Sequence, residues 1–175
     1  GRHYHGQLHS GEPAGLALVP TITNPALRDT LPPIWDQAVH DDQTLTLIAD
    51  SGRAAVAPPL EEIQALYIGR GLAHLLNGLH AADLALGAIN VSDVELTAAE
   101  QPRLRDAPGL HRLAADNAAA DKGEDLRALA SLLEALTATP RTTRRLTEEQ
   151  VTEIIELPGL GDVLRELRTG LIADA

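Results

Sequence analysis

The sequence predicts an α+β domain, and three observations carry that prediction. The first sixty residues break into short runs of alternating polar and apolar residues, punctuated by Gly, Pro, Asp and Ser. After Pro58-Pro59 the alternation stops and leucines recur at helical spacing. The strand-like runs come first and the helix-like runs later, without interleaving, which is the order of an α+β chain rather than an α/β one.

Taken in order, His3 to Leu8 and Gly15 to Val19 are predicted extended, separated by the turn-rich SGEPAG. Residues 24–39 predict a short helix opening on Asn24, with Pro25 at its first position. Pro32 and Pro33 then limit any further helix there to broken pieces. Thr44 to Ile48 alternates as a half-buried strand does, Asp50-Ser51-Gly52 makes a turn, and Arg53 to Ala57 is predicted to return as a second strand. A long helix follows over about Glu61 to Ala81, carried by Ile68, Leu72, Leu75, Leu76 and Leu79. Gly69 and Gly71 inside it lower helix propensity, so close packing against a neighbour is expected there. Val94–Leu96 and Arg103–Arg105 predict a tiny hairpin. Residues 124–138 carry the wide leucine stripe of a buried helix. Two tail helices are predicted, one opening on the capping box Thr147-Glu148-Glu149-Gln150 and one over about Gly161 to Thr169. The chain thus reads as one domain, with a small β-rich lobe over 1–59 and a helical lobe over 60–175.

Composition narrows the function. Fourteen basic against 25 acidic side chains leave a net charge of −11, which opposes contact with phosphate backbones and with anionic lipid, so neither nucleic acid nor direct membrane contact is expected. Without cysteine there is no disulfide, zinc–thiolate site or thiol nucleophile. No apolar run approaches the ~20 residues that span a bilayer, and a cytoplasmic setting is expected. Because the chain opens on Gly rather than Met, it is expected either to belong to a longer protein or to carry a residue left from cloning.

Residues 79–110 are laid out like a catalytic centre from which the chemistry has been removed. The helix ends on Leu79-His80, a loop runs through Leu86-Gly87-Ala88-Ile89-Asn90-Val91-Ser92-Asp93, and a short hairpin leads to Asp106-Ala107-Pro108. This spacing resembles the catalytic segment of protein kinases, in which Leu-His precedes His-Arg-Asp-Leu-Lys-Pro-x-Asn and a hairpin ends on Asp-Phe-Gly. Asp125-Leu126-Arg127-Ala128-Leu129-Ala130 likewise resembles the start of the large buried helix of the kinase helical lobe. The resemblance implies an abbreviated kinase-like fold with a small β-rich N-lobe and a reduced helical C-lobe. It also implies that Asp125 has a structural role, accepting hydrogen bonds from backbone amides of Leu86 to Ala88.

The departures from that family bear on function. Phosphoryl transfer needs a carboxylate at the acceptor hydroxyl, cations on the phosphates and metal ions held by side chains. Ala88 stands at the base position and can neither accept a proton nor orient a hydroxyl. Leu16-Ala17-Leu18-Val19 matches the strand of the phosphate-binding lysine, placing Val19 there, and Lys122, the one lysine, lies beyond Asp106. No Glu occurs between Pro13 and Pro59 to pair with such a lysine. The glycines at 6, 11 and 15 lack the close-set pattern that admits phosphates. Asp93 and Asp106 remain as magnesium-ligand positions, more readily explained as a solvated turn pair. Asp106 and Asp125 are nineteen positions apart, leaving no room for a substrate-docking platform. The resemblance therefore implies a truncated bacterial pseudokinase, not an enzyme. It is expected to need no cofactor or metal and to bind no ATP. Its expected role is that of a regulatory or scaffold module whose helical lobe binds another protein or another domain of the parent chain. Two other readings stay open: a nucleotide sensor without turnover, and a small metal-dependent protein using Asp93, Asp106 and the N-terminal histidines.

Among the remaining features, His3 and His5 would share a strand face and, with His9, suggest either a metal site or a polar edge strand. The edge strand is favoured because no carboxylate or Cys completes the set. His74, His80 and His111 read as packing or surface residues. Thr137-Ala138-Thr139-Pro140-Arg141-Thr142-Thr143-Arg144-Arg145 reads as a solvated interhelical loop or, less readily, as a phosphorylation site. Trp35, the one tryptophan, is expected to be buried at the junction of the lobes or to anchor a partner.

Overall fold

The computed structural model describes residues 4–10, 15–41 and 43–138. These form a mixed α+β domain with a three-stranded sheet at one end and two long helices at the other. Strands β1 (Tyr4–Ser10), β2 (Ile34–His40) and β3 (Gln43–Ala49) pair antiparallel in the order β1-β3-β2. Register runs Tyr4 opposite Ala49 to Ser10 opposite Gln43 on one side, and Ile34 opposite Ile48 to His40 opposite Gln43 on the other, with an irregularity between Ile34 and Asp36. The tight turn between β2 and β3 places Asp41 at positive φ.

Three predictions in this half are corrected. Gly15–Thr21 is a 3₁₀ helix, not a strand. Its first five residues are all buried, whereas a strand with one solvated face would bury alternate ones. Gly15 starts it at φ 56°, donates its N–H to Leu110 O at 2.6 Å, and ties the segment to the helical half. The second correction is residues 34–40, read as helical fragments, which form β2. Pro32 and Pro33 end the helical character early, and the helix is confined to α1 (Pro25–Thr30), capped by Asn24 Oδ1 on Ala26 N–H at 3.0 Å. Arg53 to Ala57 is no second strand either. It makes one bridge, Ala55 to Glu95, and donates Val56 N–H to Val94 O at 2.8 Å.

Helix α2 (Glu62–Ala81) forms as predicted and buries Ala65, Ile68, Leu72, Leu75, Leu76 and Leu79. Its glycines are contact points: a Cβ on Gly69 would lie 2.8 Å from Leu133, and one on Gly71 2.3 Å from the Pro102 ring. Helix α3 (Ala118–Thr137) starts six residues before the predicted boundary and packs Leu129, Leu132, Leu133 and Leu136 inward. Between the helices lie β4 (Leu84–Ala85), the hairpin of β5 (Val94–Leu96) with β6 (Pro102–Leu104), and β7 (His111–Arg112), which pairs with β4. One hydrophobic cluster runs from Leu16, Leu18, Val19 and Ile48 to Leu132, Leu133 and Leu136. The tail helices and the threonine–arginine segment from Thr139 on lie outside the described residues. Among those residues, no helix is long and apolar enough to cross a membrane.

Candidate functional site: the cleft beside the sheet

A cleft of about 420 Å³ opens between the sheet and the loops of the helical half. His5, Gln7 and Ile48 line it from the sheet, and Ser92, Asp93, Glu95, Arg105 and Asp106 from the opposite side. Strand pairing explains the sheet wall. His5, Gln7, Thr46, Ile48 and Gln37 share one face by register, and that face looks inward.

Asp106 does not stand free in the cleft. Its Oδ1 and Oδ2 both accept from Gln7 Nε2 at 3.1 Å, and Oδ1 also accepts the N–H of Ala107 at 2.7 Å. The strand residue facing Asp106 is therefore Gln7, not Val19. Val19 is 3% exposed within the 3₁₀ helix and packs in the core. The placement of Val19 on a strand is corrected for the same reason as the strand itself.

Asp93 is turned into its own loop. Its Oδ2 accepts from the backbone and side-chain amides of Asn90 at 2.9 and 3.0 Å, closing a capping box around the 3₁₀ turn Val91–Asp93. Ala88 is exposed on the loop before it, between Gly87 at φ 75° and buried Ile89. A Cβ at Gly109 would come within 2.7 Å of Leu86 O, so this loop and the 107–110 turn meet backbone to backbone.

The cleft floor holds a group that sequence reasoning missed. Glu95 is 1% exposed, and its Oε1 accepts from Arg103 Nε at 2.9 Å. Its Oε2 accepts from Ser51 Oγ at 2.6 Å and lies 3.6 Å from Arg105 Nε. Arginines 103 and 105 alternate with Leu104 on the hairpin, which is the signal that could have found the cluster. The partner, on the opposite strand, is fixed by the register Glu95 to Arg103.

Behind the cleft, Asp125 is fully buried at the second turn of α3. It accepts from Leu86 N–H at 3.0 Å, Gly87 N–H at 2.6 Å and pairs with His80 Nε2 at 2.8 Å. Two of the three amides named from the sequence therefore reach it. His80, read as a packing or surface residue, is a hydrogen-bond partner 45 positions away in sequence. His111 Nδ1 contacts Gly109 O at 2.7 Å, and its Nε2 lies 3.6 Å from Asp121.

Trp35 is corrected as well: it is 57% exposed, its ring 5.4 Å from that of Tyr4. Of the histidine trio, His3 lies outside the described residues, and His5 sits 3.7 Å from Asp50. Among the described residues, no three His, Asp or Glu side chains converge as metal ligands would. What the cleft offers is a polar surface with a surplus of carboxylates, Asp50, Asp93, Glu95 and Asp106 lining it with the one guanidinium of Arg105. Its amide, carboxylate and guanidinium groups are directed mainly at one another. Set against protein-family models and against curated proteins, the chain matches none.

Proposed function

We propose that this is a non-catalytic, protein-kinase-like domain that serves a larger protein as an interaction or regulatory module. The observation that carries the reading is the pairing of Gln7 with Asp106 across the cleft. In the resembling fold, a strand lysine and the aspartate before Phe-Gly hold nucleotide phosphates and magnesium. Here a neutral amide occupies the aspartate's two oxygens and supplies no charge to a phosphate. Ala88, at the base position, brings no functional group. The buried Asp125 supports the kinase-like reading because the resemblance calls for its acceptance of loop amides, and Leu86 N–H and Gly87 N–H supply two of them.

Two further features argue against nucleotide binding. On the cleft floor, Arg103 is committed to Glu95 rather than offered to a phosphate. The linking segment offers few backbone donors: Pro58 and Pro59 have none, and Val56 N–H is given to Val94 O. A ligand at a hundred times its dissociation constant raises stability by ~2.7 kcal/mol. A thermal melt of the 175-residue chain in millimolar ATP and magnesium is expected to show no upward shift. A saturable shift, abolished by Asp106→Asn, would replace this reading with a nucleotide sensor.

A further inference from the structure

The outward face of the three-stranded sheet is apolar although it meets solvent. A sheet with one face on the core and one in water is apolar inside and polar outside. Here the inward face mixes the apolar Ile34, Val39 and Ile48 with His5, Gln7, Gln37, Thr44 and Thr46, of which Ile48, Thr44 and Thr46 are buried. The outward face presents Tyr4, Leu8, Ala38, Leu45 and Leu47, with Trp35 turned onto Tyr4 at the register irregularity. Gly6 belongs to the same face, since a Cβ there would lie 3.5 Å from both Leu45 and Leu47. Leu8 is 63% exposed. Of the six exposed large apolar side chains among the described residues, five lie on the sheet and four of those on its outer face. The surface expected on the helical half is represented in that set by Tyr67 alone.

Dimensions and charge select what would cover this face. Three strands at ~4.8 Å spacing and seven residues at ~3.4 Å make it about 14 Å wide and 24 Å long. A second copy laid face to face would bring together two chains of net charge −11. A strand added to the edge of β1 or β2 would leave the face open. A single α-helix, ~10–12 Å across with 1.5 Å rise per residue, covers it in about 16 residues. Asp36 is the one charged side chain among the outer-face positions. It is exposed and accepts from Gln37 N–H at 2.8 Å, and Asp41 stands exposed at the turn beyond.

We infer that the outer face of β1-β3-β2 is a docking surface for an amphipathic helix of about four turns with a basic flank, supplied by a partner polypeptide. The helix buries its apolar stripe on Leu8, Leu45, Tyr4 and Trp35 and sets a Lys or Arg against Asp36. This occupant gives the interaction-module reading a surface and a partner chemistry. The two fail separately, because an ATP-dependent melt reports on the cleft and Trp35 reports on the sheet.

Trp35 is the sole tryptophan, so its emission follows this face directly. The 175-residue chain is titrated with two tryptophan-free, 16-residue amphipathic peptides of equal apolar content, one leucine–lysine and one leucine–glutamate. The lysine peptide is expected to give a saturable blue shift and a severalfold loss of acrylamide quenching, at a tenfold lower concentration than the glutamate peptide. Leu8→Glu with Leu45→Glu is expected to abolish the shift while circular dichroism is unchanged. The single change Leu8→Ser, milder on folding, weakens it severalfold, and Asp36→Asn narrows the preference for lysine. The inference is overturned by no shift with either peptide, by equal response to both, by a shift that depends on protein concentration alone, or by a shift seen only with anionic phospholipid vesicles.

Discussion

Asp125 and Glu95 are both carboxylates with almost no exposure, and both hold segments distant in sequence, so their removal tests what the surrounding loops depend on. Asp125→Ala strands the amides of Leu86 and Gly87 and leaves His80 without its partner. An unsatisfied buried donor costs about 1–3 kcal/mol, and a lower urea midpoint at unchanged slope is the expected outcome. No loss of stability would argue against the assignment of the whole helical lobe. Glu95→Ala strands the partly buried Arg103 and frees Ser51 from the hairpin. Breaking a buried pair from one side costs on the order of 3 kcal/mol, and the partial exposure of both arginines lowers that figure. The residues themselves were differently legible. Asp125 was named from its resemblance to a helix start. Glu95 was not, because a lone Glu on a short strand carries no signal until the register sets Arg103 opposite it. Gln7 was missed for a related reason: strand periodicity gives its face but not the aspartate 99 positions away.

At the scale of elements, the glycines of the two long helices divide into packing sites and tolerant ones. Gly71→Ala would place a methyl 2.3 Å from the ring of Pro102, which cannot rotate away. Overpacking of this kind costs ~1–3 kcal/mol, outweighing the ~1 kcal/mol that Ala contributes over Gly in a helix, so a lower melting temperature is expected. Gly78→Ala meets Leu27 equally closely, but a leucine can change rotamer, and a smaller loss is expected. Gly123→Ala in α3 meets only the end of the Arg127 side chain at 3.4 Å. There the propensity term acts almost unopposed, and a gain of up to ~1 kcal/mol is expected. Differential scanning of the three variants gives the order directly; Gly71→Ala as stable as the parent would mean that α2 does not approach the β5–β6 hairpin as described. The long helices and the hairpin were legible because each carries several periods of its own pattern. Gly15–Thr21 was not, since five consecutive apolar residues suit a buried strand, a 3₁₀ helix or any other backbone whose surroundings are apolar on all sides.

For the whole molecule, the sheet and the helices share one buried cluster, joined through Leu16, Leu18, Ile22 and Ile48. Unfolding is therefore expected to be one cooperative transition: Trp35 emission, reporting the sheet, and helical circular dichroism should change at the same urea concentration. Separate midpoints would show two lobes folding independently. The α+β order, the extent of α2, the hairpin, the Asn24 cap and the negative charge were all legible from the residues, because periodicity, capping and composition are local or additive properties. Tertiary structure alone decided that Gln7 faces Asp106, that Glu95 closes the cleft floor, that His80 pairs with Asp125 and that Trp35 lies on an exposed sheet face. Each of these depends on which surfaces meet. Hydrophobic patterning states that a side chain prefers burial or solvent; the partner it meets depends on strand register and on the packing of elements far apart in the chain.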